Sequence, residues 1–325
     1  MKNYDVVALG ELLIDLTQNG TSEQGNPILE ANPGGAPCNV LALLSKLGHR
    51  TGFIGKVGCD GFGNQLREAL VETGIATEGL RWDEYVHTTL AVVHTLPGGD
   101  RDFSFYRNPG ADMRLTAKEV NADMIRNCRI FHFGTLSMTD EPVRSATYKA
   151  ISIAEDAGVL LSFDPNLRIP LWSNLDVAKE QVLYGMAHCD ILKISDNEIQ
   201  WLTEKENFEE GICWIKERFP QIRLILLSMG KDGSRAFSGA STATVPALTF
   251  VHSIETTGAG DTFFAGVLHH VLQWGLRDYS EEELRQMLAF ANAAAALITT
   301  RKGALRVMPA EHEIRGLMEQ AALTQ

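Results

Sequence analysis

The stretch Glu255-Thr256-Thr257-Gly258-Ala259-Gly260-Asp261-Thr262-Phe263 joins what an anion site needs to a group that can move a proton. Two glycines flanking one alanine leave backbone N–H groups unobstructed, and a helix N-terminus behind them adds partial positive charge. Asp261 stands at the mouth of that site. A carboxylate is tolerated there if it accepts a proton or if a ligand's metal compensates its charge; the alternative is that Asp261, or the threonine beside it, only caps the helix. Asp15 poses the same choice, since a carboxylate can take two hydrogen bonds from a polyol or simply face water at a strand edge. Asn39 falls in the first turn of a helix predicted from about Pro37 to Leu47, and its amide can both donate to and accept from a hydroxyl.

These motifs carry a resemblance. Thr256-Thr257-Gly258-Ala259-Gly260-Asp261-Thr262-Phe263 resembles the second signature of the ribokinase-like (PfkB) carbohydrate kinases, and Gly34-Gly35-Ala36-Pro37-Cys38-Asn39 followed by Leu47-Gly48 resembles the first. Both precede helices, and the similarity runs from Gly10 to about Pro309. Phe105-Tyr106-Arg107-Asn108-Pro109-Gly110-Ala111-Asp112 and Asp164-Pro165-Asn166-Leu167-Arg168, with Leu171-Trp172 after it, are similar to the fructokinase branch; the second also resembles 2-keto-3-deoxygluconate kinases.

The resemblance implies ATP-dependent phosphorylation of a sugar hydroxyl, most closely D-fructose, with Mg²⁺ accompanying ATP. A same-fold kinase acting on 2-keto-3-deoxygluconate, with Arg107 and Arg168 on the substrate carboxylate, is one alternative. A non-catalytic sugar or nucleotide sensor is the other. On this comparison Gly258, Ala259 and Gly260 form the anion hole and Asp261 is the base. Asp15, Gly34, Gly35, Asn39, Phe103, Arg107, Asn166 and Arg168 serve the acceptor. Lys193, Ser195, Ser228, Gly230, Gly233 and Asn292 lie on the nucleotide side, and Glu198 orients Mg²⁺ through water. The family has Asn where this chain has Ser195, and Asp where it has Glu255, beside a monovalent-cation site; K⁺ activation is therefore left open.

The elements that must position these groups follow from the hydrophobic pattern. Short apolar runs near Val6 to Leu9, Phe53 to Val57, Ile130 to Phe133, Val159 to Phe163, Ile191 to Ile194 and Leu224 to Ser228 lack period-two alternation, as strands covered on both faces do. Helices predicted around 141–157, 175–188, 208–219 and 281–299 alternate with the later strands. The expected fold is thus α/β, a doubly wound mostly parallel sheet with helices on both faces, binding ligand beyond the strands' carboxyl ends. Thr88 to Leu96 and Arg101 to Arg107 read instead as a hairpin joined at Pro97-Gly98-Gly99-Asp100, with Phe103 and Phe105 on one face. The pattern suggests a separate small sheet, and the family resemblance implies that it acts as a β lid, formed from about 12–33 and 87–108 on a single domain spanning 1–325. Residues 17 to 33 read as irregular or edge, Val245 to Val251 as extended, and Phe263 to Trp274 as helical.

Composition narrows the partners. A 325-residue chain with 45% hydrophobic and 22% charged residues can bury a large core. Its net charge of −12 argues against nucleic acid or an anionic membrane, while small-molecule sugar and ATP remain compatible. The five cysteines are scattered without Cys-x-x-Cys spacing, so the expectation is reduced thiols, a cytoplasmic protein and neither disulfide nor zinc. The glycines give no dinucleotide fingerprint or P-loop, and the nine histidines show no metal-ligand spacing. Homodimer formation is compatible with these observations.

Overall fold

Two β-sheets organise the chain in the computed structural model, which describes residues 2–95 and 101–324, without the side chains of 94, 95, 101–103 and 324. In chain order the strands are β1 (Tyr4–Leu9), β2 (Leu13–Thr21), β3 (Pro27–Gly34), β4 (Thr51–Gly58), β5 (Ile75–Asp83), β6 (Leu90–Thr95) and β7 (Arg101–Tyr106). They continue with β8 (Cys128–Gly134), β9 (Leu160–Asp164), β10 (Ile191–Ser195), β11 (Leu224–Ser228), β12 (Ser234–Ser238) and β13 (Ser241–Val245). The helices are α1 (Ala36–Lys46), α2 (Gly61–Glu72), α3 (Ala122–Arg126), α4 (Val143–Asp156), α5 (Leu175–His188), α6 (Asp196–Thr203), α7 (Phe208–Arg218), α8 (Ala259–Trp274), α9 (Glu281–Ile298) and α10 (Glu311–Thr324).

The larger sheet has nine strands in the order β13-β12-β11-β10-β9-β8-β1-β4-β5. Pairing is parallel from β5 across to β11, and β12 and β13 close that edge antiparallel. β1 shows why its sequence has no polar alternation. Val6 and Ala8 enter one core with α1, α8 and α9, while Val7 and Leu9 enter the other with α4 and α5, and all four are fully buried. Burying such a side chain contributes about 1.5–3 kcal/mol, so a strand packed on both faces cannot admit polar residues cheaply.

The smaller sheet runs β3-β2-β6-β7. Residues 17 to 33 therefore belong largely to two antiparallel strands rather than an irregular segment. Their sequence concealed this because β2 beyond Leu16 and most of β3 are exposed or half-buried, so no buried face imposes an apolar alternation. Two other expectations need correction. The run from 246 to 251 is loop, with only Val245 in a strand, and α8 begins at Ala259, four residues ahead of Phe263. β5, β12 and β13 were not anticipated. The turn expected at 97–100 lies outside the described residues. Among the described residues no helix is long and apolar enough to cross a membrane.

Candidate active site

The early start of α8 decides the geometry of the site. Gly258 precedes the helix with φ +77°, a left-handed conformation that glycine adopts without strain, and this turn brings Asp261 into the first helical turn. Asp261 is buried, and two amides from distant parts of the chain hold it. Asn39 Nδ2, from the first turn of α1, donates to Asp261 Oδ2 at 2.8 Å, and Asn166 Nδ2 donates to Oδ1 at 3.4 Å. Asn166 follows β9 with φ 44°, a left-handed conformation that asparagine tolerates better than most side chains. Burial pushes the Asp261 carboxyl above the usual range, although Asn39, Lys193 and Arg168 oppose that shift. A more basic, buried carboxylate suits proton acceptance better than helix capping.

Beside it lies a buried cation. Lys193, near the end of β10, sits 3.0 Å from Asp164 Oδ2, and a β-carbon on Gly260 would stand 3.4 Å from its Nζ. Burial alone would lower the lysine pKa. The carboxylates of Asp164, Glu198 and Asp261 outweigh this and hold it above its ordinary value, so it stays charged. Asp164 is pushed up to about 7, first by burial and then by Glu198 and Asp261, against the pull of Lys193.

Ser195 and Glu198 form a capping box at the start of α6. Glu198 Oε2 accepts from Ser195 N and Oγ, each at 2.8 Å, while Oε1 accepts from Leu167 N at 2.7 Å. Burial would raise its pKa, but Lys193 and these donors win and keep it ionised.

Asp261, Asn39, Asn166, Lys193, Ser195 and Glu198 line one cavity of about 750 Å³, within the range of small-ligand sites, while Asp164 pairs with Lys193 outside that lining. The large sheet supplies the floor from the carboxyl ends of β9, β10 and β11. The small sheet supplies Asp15 and Phe105 to the same cavity. Gly34 explains how Asp15 fits, since a β-carbon there would come within 2.4 Å of Asp15 Oδ2.

A family model described as pfkB family carbohydrate kinase matches residues 3–311. The chain belongs to that family. Fructokinase-2 of Oryza sativa subsp. japonica is 40% identical over 320 residues, covering 98% of this chain and 94% of that one. Two solved structures are similar along almost their whole length. Xylella fastidiosa fructokinase with bound ATP has a TM-score of 0.87 at 28% identity, covering 98% of this chain and 99% of its own. Vibrio cholerae O395 fructokinase in its fructose-, ADP- and calcium-bound form has a TM-score of 0.86 at 29% identity, covering 97% and 99%.

Several residues singled out in the sequence line the cavity of this kinase: Asp15, Gly35, Asn39, Asn166, Arg168, Lys193, Ser195, Glu198, Ser228, Gly230 and the Gly258–Asp261 turn. Others do not, and the reasons are structural. Arg107 was expected at the acceptor, yet its buried guanidinium donates to Asp112 Oδ2 at 2.7 Å, to Thr139 Oγ1 at 3.1 Å and to the Leu136 carbonyl at 2.8 Å. Asn292 was expected on the nucleotide side. It accepts from Ser234 Oγ and donates to the carbonyls of Val245 and Pro246, tying α9 to the β12–β13 hairpin.

Gly233 serves its turn, with φ +94° and a β-carbon position 2.2 Å from the Val245 carbonyl oxygen. Gly34 lies behind Asp15, and Glu255 is buried outside the cavity, accepting from Gly303 N at 3.2 Å. Ala259 N–H donates to the Thr256 carbonyl at 3.2 Å, so this amide of the expected anion hole already has a partner. The side chain of Phe103 is outside the described part. Sequence reasoning gave no role to Glu11, which stands in no spacing that signals a ligand, and none to Asp164 itself, although Asp164 opens the Asp-x-Asn-x-Arg stretch; both are buried carboxyls.

Proposed function

We propose that this kinase transfers the terminal phosphoryl group of ATP to a hydroxymethyl group of D-fructose, giving fructose 6-phosphate. The observation that carries the reading is the buried Asp261 carboxylate, held by Asn39 and Asn166 in a cavity it shares with Gly35 and Asp15. The names and bound ligands of the similar fructokinases support the choice of sugar and nucleotide. Asp261 takes the hydroxyl proton as the oxygen attacks. Gly258, Gly260 and Lys193 meet the charge on the transferring group, where preorganised donors in a water-poor site act most strongly.

The acceptor is held from the opposite wall. Asp15 accepts hydrogen bonds from sugar hydroxyls, and the buried Oδ1 of Asn39, which has no hydrogen-bond partner among the described residues, offers a further acceptor. Closure of the small sheet as a lid keeps water from competing for the phosphoryl group.

Among the described residues no cluster of three or more His, Cys, Asp or Glu could hold an ion alone; the phosphate oxygens of ATP would supply a divalent ion's main ligands. Mg²⁺ supplies charge neutralisation on the phosphates when it arrives with ATP. Glu198, whose oxygens are already engaged, would hold its hydration shell rather than the ion itself. Glu255 is kept as a candidate for a monovalent-cation site. The five free cysteines suit a reducing, cytoplasmic setting.

The keto-acid alternative loses support because Arg107, one of the two arginines it requires, is bound to Asp112 inside the protein and does not line the cavity. A panel of kcat/KM values tests the choice: fructose should lead, and a preference for 2-keto-3-deoxygluconate would overturn it.

A further inference from the structure

We propose that Glu11 is a positioning residue for phosphoryl transfer: by gripping the first amide of α1 it keeps Asn39 on the carboxylate of Asp261. The inference rests on the reading of Asp261 as the base. Glu11 lies in the connection between β1 and β2, is only 4% exposed and lines the cavity. Its Oε1 accepts from the Ala36 N–H at 2.7 Å.

The residue preceding α1 is Gly35, which has no side chain to fill that capping role. Gly35 also has φ +125°, and a β-carbon there would lie 2.4 Å from the Glu11 carbonyl oxygen, so the helix start rests on the backbone of Glu11 as well as on its carboxylate. From there the path to the reacting group is short. Asn39 N donates to the Gly35 carbonyl at 2.9 Å, and Asn39 Nδ2 reaches Asp261 at 2.8 Å. Glu11, Gly35-Ala36, Asn39 and Asp261 thus form one unbroken chain of contacts.

The surroundings argue that Glu11 is not there for stability. Burial pushes its carboxyl up to about 7, the Ala36 amide opposes this, and the nearby charges of Asp112 and Arg107 act in opposite directions. Cys38 is a further titratable neighbour, and His132 and Asp164 line a small cavity together with Glu11. A carboxyl kept buried without an ion pair of its own destabilises the fold whenever it ionises, so its placement is better explained by what it holds. Around Asp261 the charged groups are Lys193, Arg168 and Asp164. The bond from Asn39 draws the Asp261 pKa down, so loosening that bond should move it up.

The test is the pH profile of fructose kcat/KM for the parent, Glu11→Ala, Glu11→Gln, Asn39→Ala and the double variant Glu11→Ala/Asn39→Ala. Glu11→Ala should lower kcat/KM about tenfold, the usual scale of a lost helix-start acceptor. It should also move the acidic limb to higher pH, as Asn39→Ala does, and the double variant should be no worse than Asn39→Ala. Glu11→Gln keeps an acceptor for Ala36 and should keep the parental limb. An unmoved limb in Glu11→Ala, additive losses in the double variant, or a Glu11→Gln as impaired as Glu11→Ala would each overturn the inference. If Glu11→Ala does not fold, Glu11→Asp, one methylene shorter, is judged by the same criteria. Failure of the base reading is distinguishable: Asp261→Asn would then stay active, whereas failure of the Glu11 inference alone leaves that variant inactive.

Discussion

At the scale of residues, the site works by placing charge where water would normally dissolve it. Lys193 interacts with Asp164, Glu198 and Asp261, and Arg168 adds a second positive charge near Asp261, so the charges of the site lie close together under burial. Gly35 is as constrained as any catalytic group. Its positive φ and its approach to the Glu11 carbonyl leave no room for a methyl group, because backbone on that side cannot swing aside. Gly35→Ala should destabilise the protein by about 1–3 kcal/mol in a denaturant titration and impair turnover through a displaced Asn39. Normal stability with normal turnover would show that the start of α1 is softer than argued.

The residue scale also shows what the sequence could disclose. The Gly258–Asp261 turn drew attention because Thr256 to Phe263 resembles the family's second signature; its glycines alone left helix capping by Asp261 open. Glu11 and Asp164 were not legible, since their meaning lies in burial and in partners far away in the chain. Arg107 misled for the same reason: a strand-end arginine looks available until Asp112, Thr139 and Leu136 are seen to occupy it.

Among the elements, α6 links fold to chemistry most directly. Its capping box uses Glu198, a cavity residue, as the reciprocal partner of Ser195, so the interaction that starts the helix also fixes the group proposed to meet the metal's water. Ser195→Ala should cost about 1 kcal/mol of stability and raise the Mg²⁺ concentration needed for half-maximal activity. Lost stability with an unchanged Mg²⁺ dependence would confine Ser195 to capping. The strands of the large sheet were readable from their unbroken apolar runs. β2 and β3 were not, because a sheet largely exposed to water carries no buried stripe, and β12 and β13 are short and partly polar.

For the whole molecule, the division of labour between the sheets matters most. The nine-stranded sheet contributes Lys193, Ser195 and Ser228, α8 contributes Asp261, and the four-stranded sheet adds Asp15 and Phe105 to the same cavity. A lid that closes on its sugar should make the molecule more compact. Small-angle scattering with fructose and a non-hydrolysable ATP analogue should show a smaller radius of gyration than the unliganded protein, and an unchanged radius would argue for a cavity already closed.

The acidic limb of the rate profile belongs to this scale too, since it depends on burial of the entire site. With the Asp261 pKa raised, its basic form is lost on acidification at a higher pH than an exposed aspartate would require, so kcat should begin to fall above the usual carboxylate range. The most direct measurement is kcat for Asp261→Asn beside the parent at saturating fructose and MgATP. The expected result is a loss of about 10²-fold or more with the protein still folded. Turnover close to that of the parent would contradict the account, because Asp261 is the carboxylate that Asn39 and Asn166 hold in the cavity.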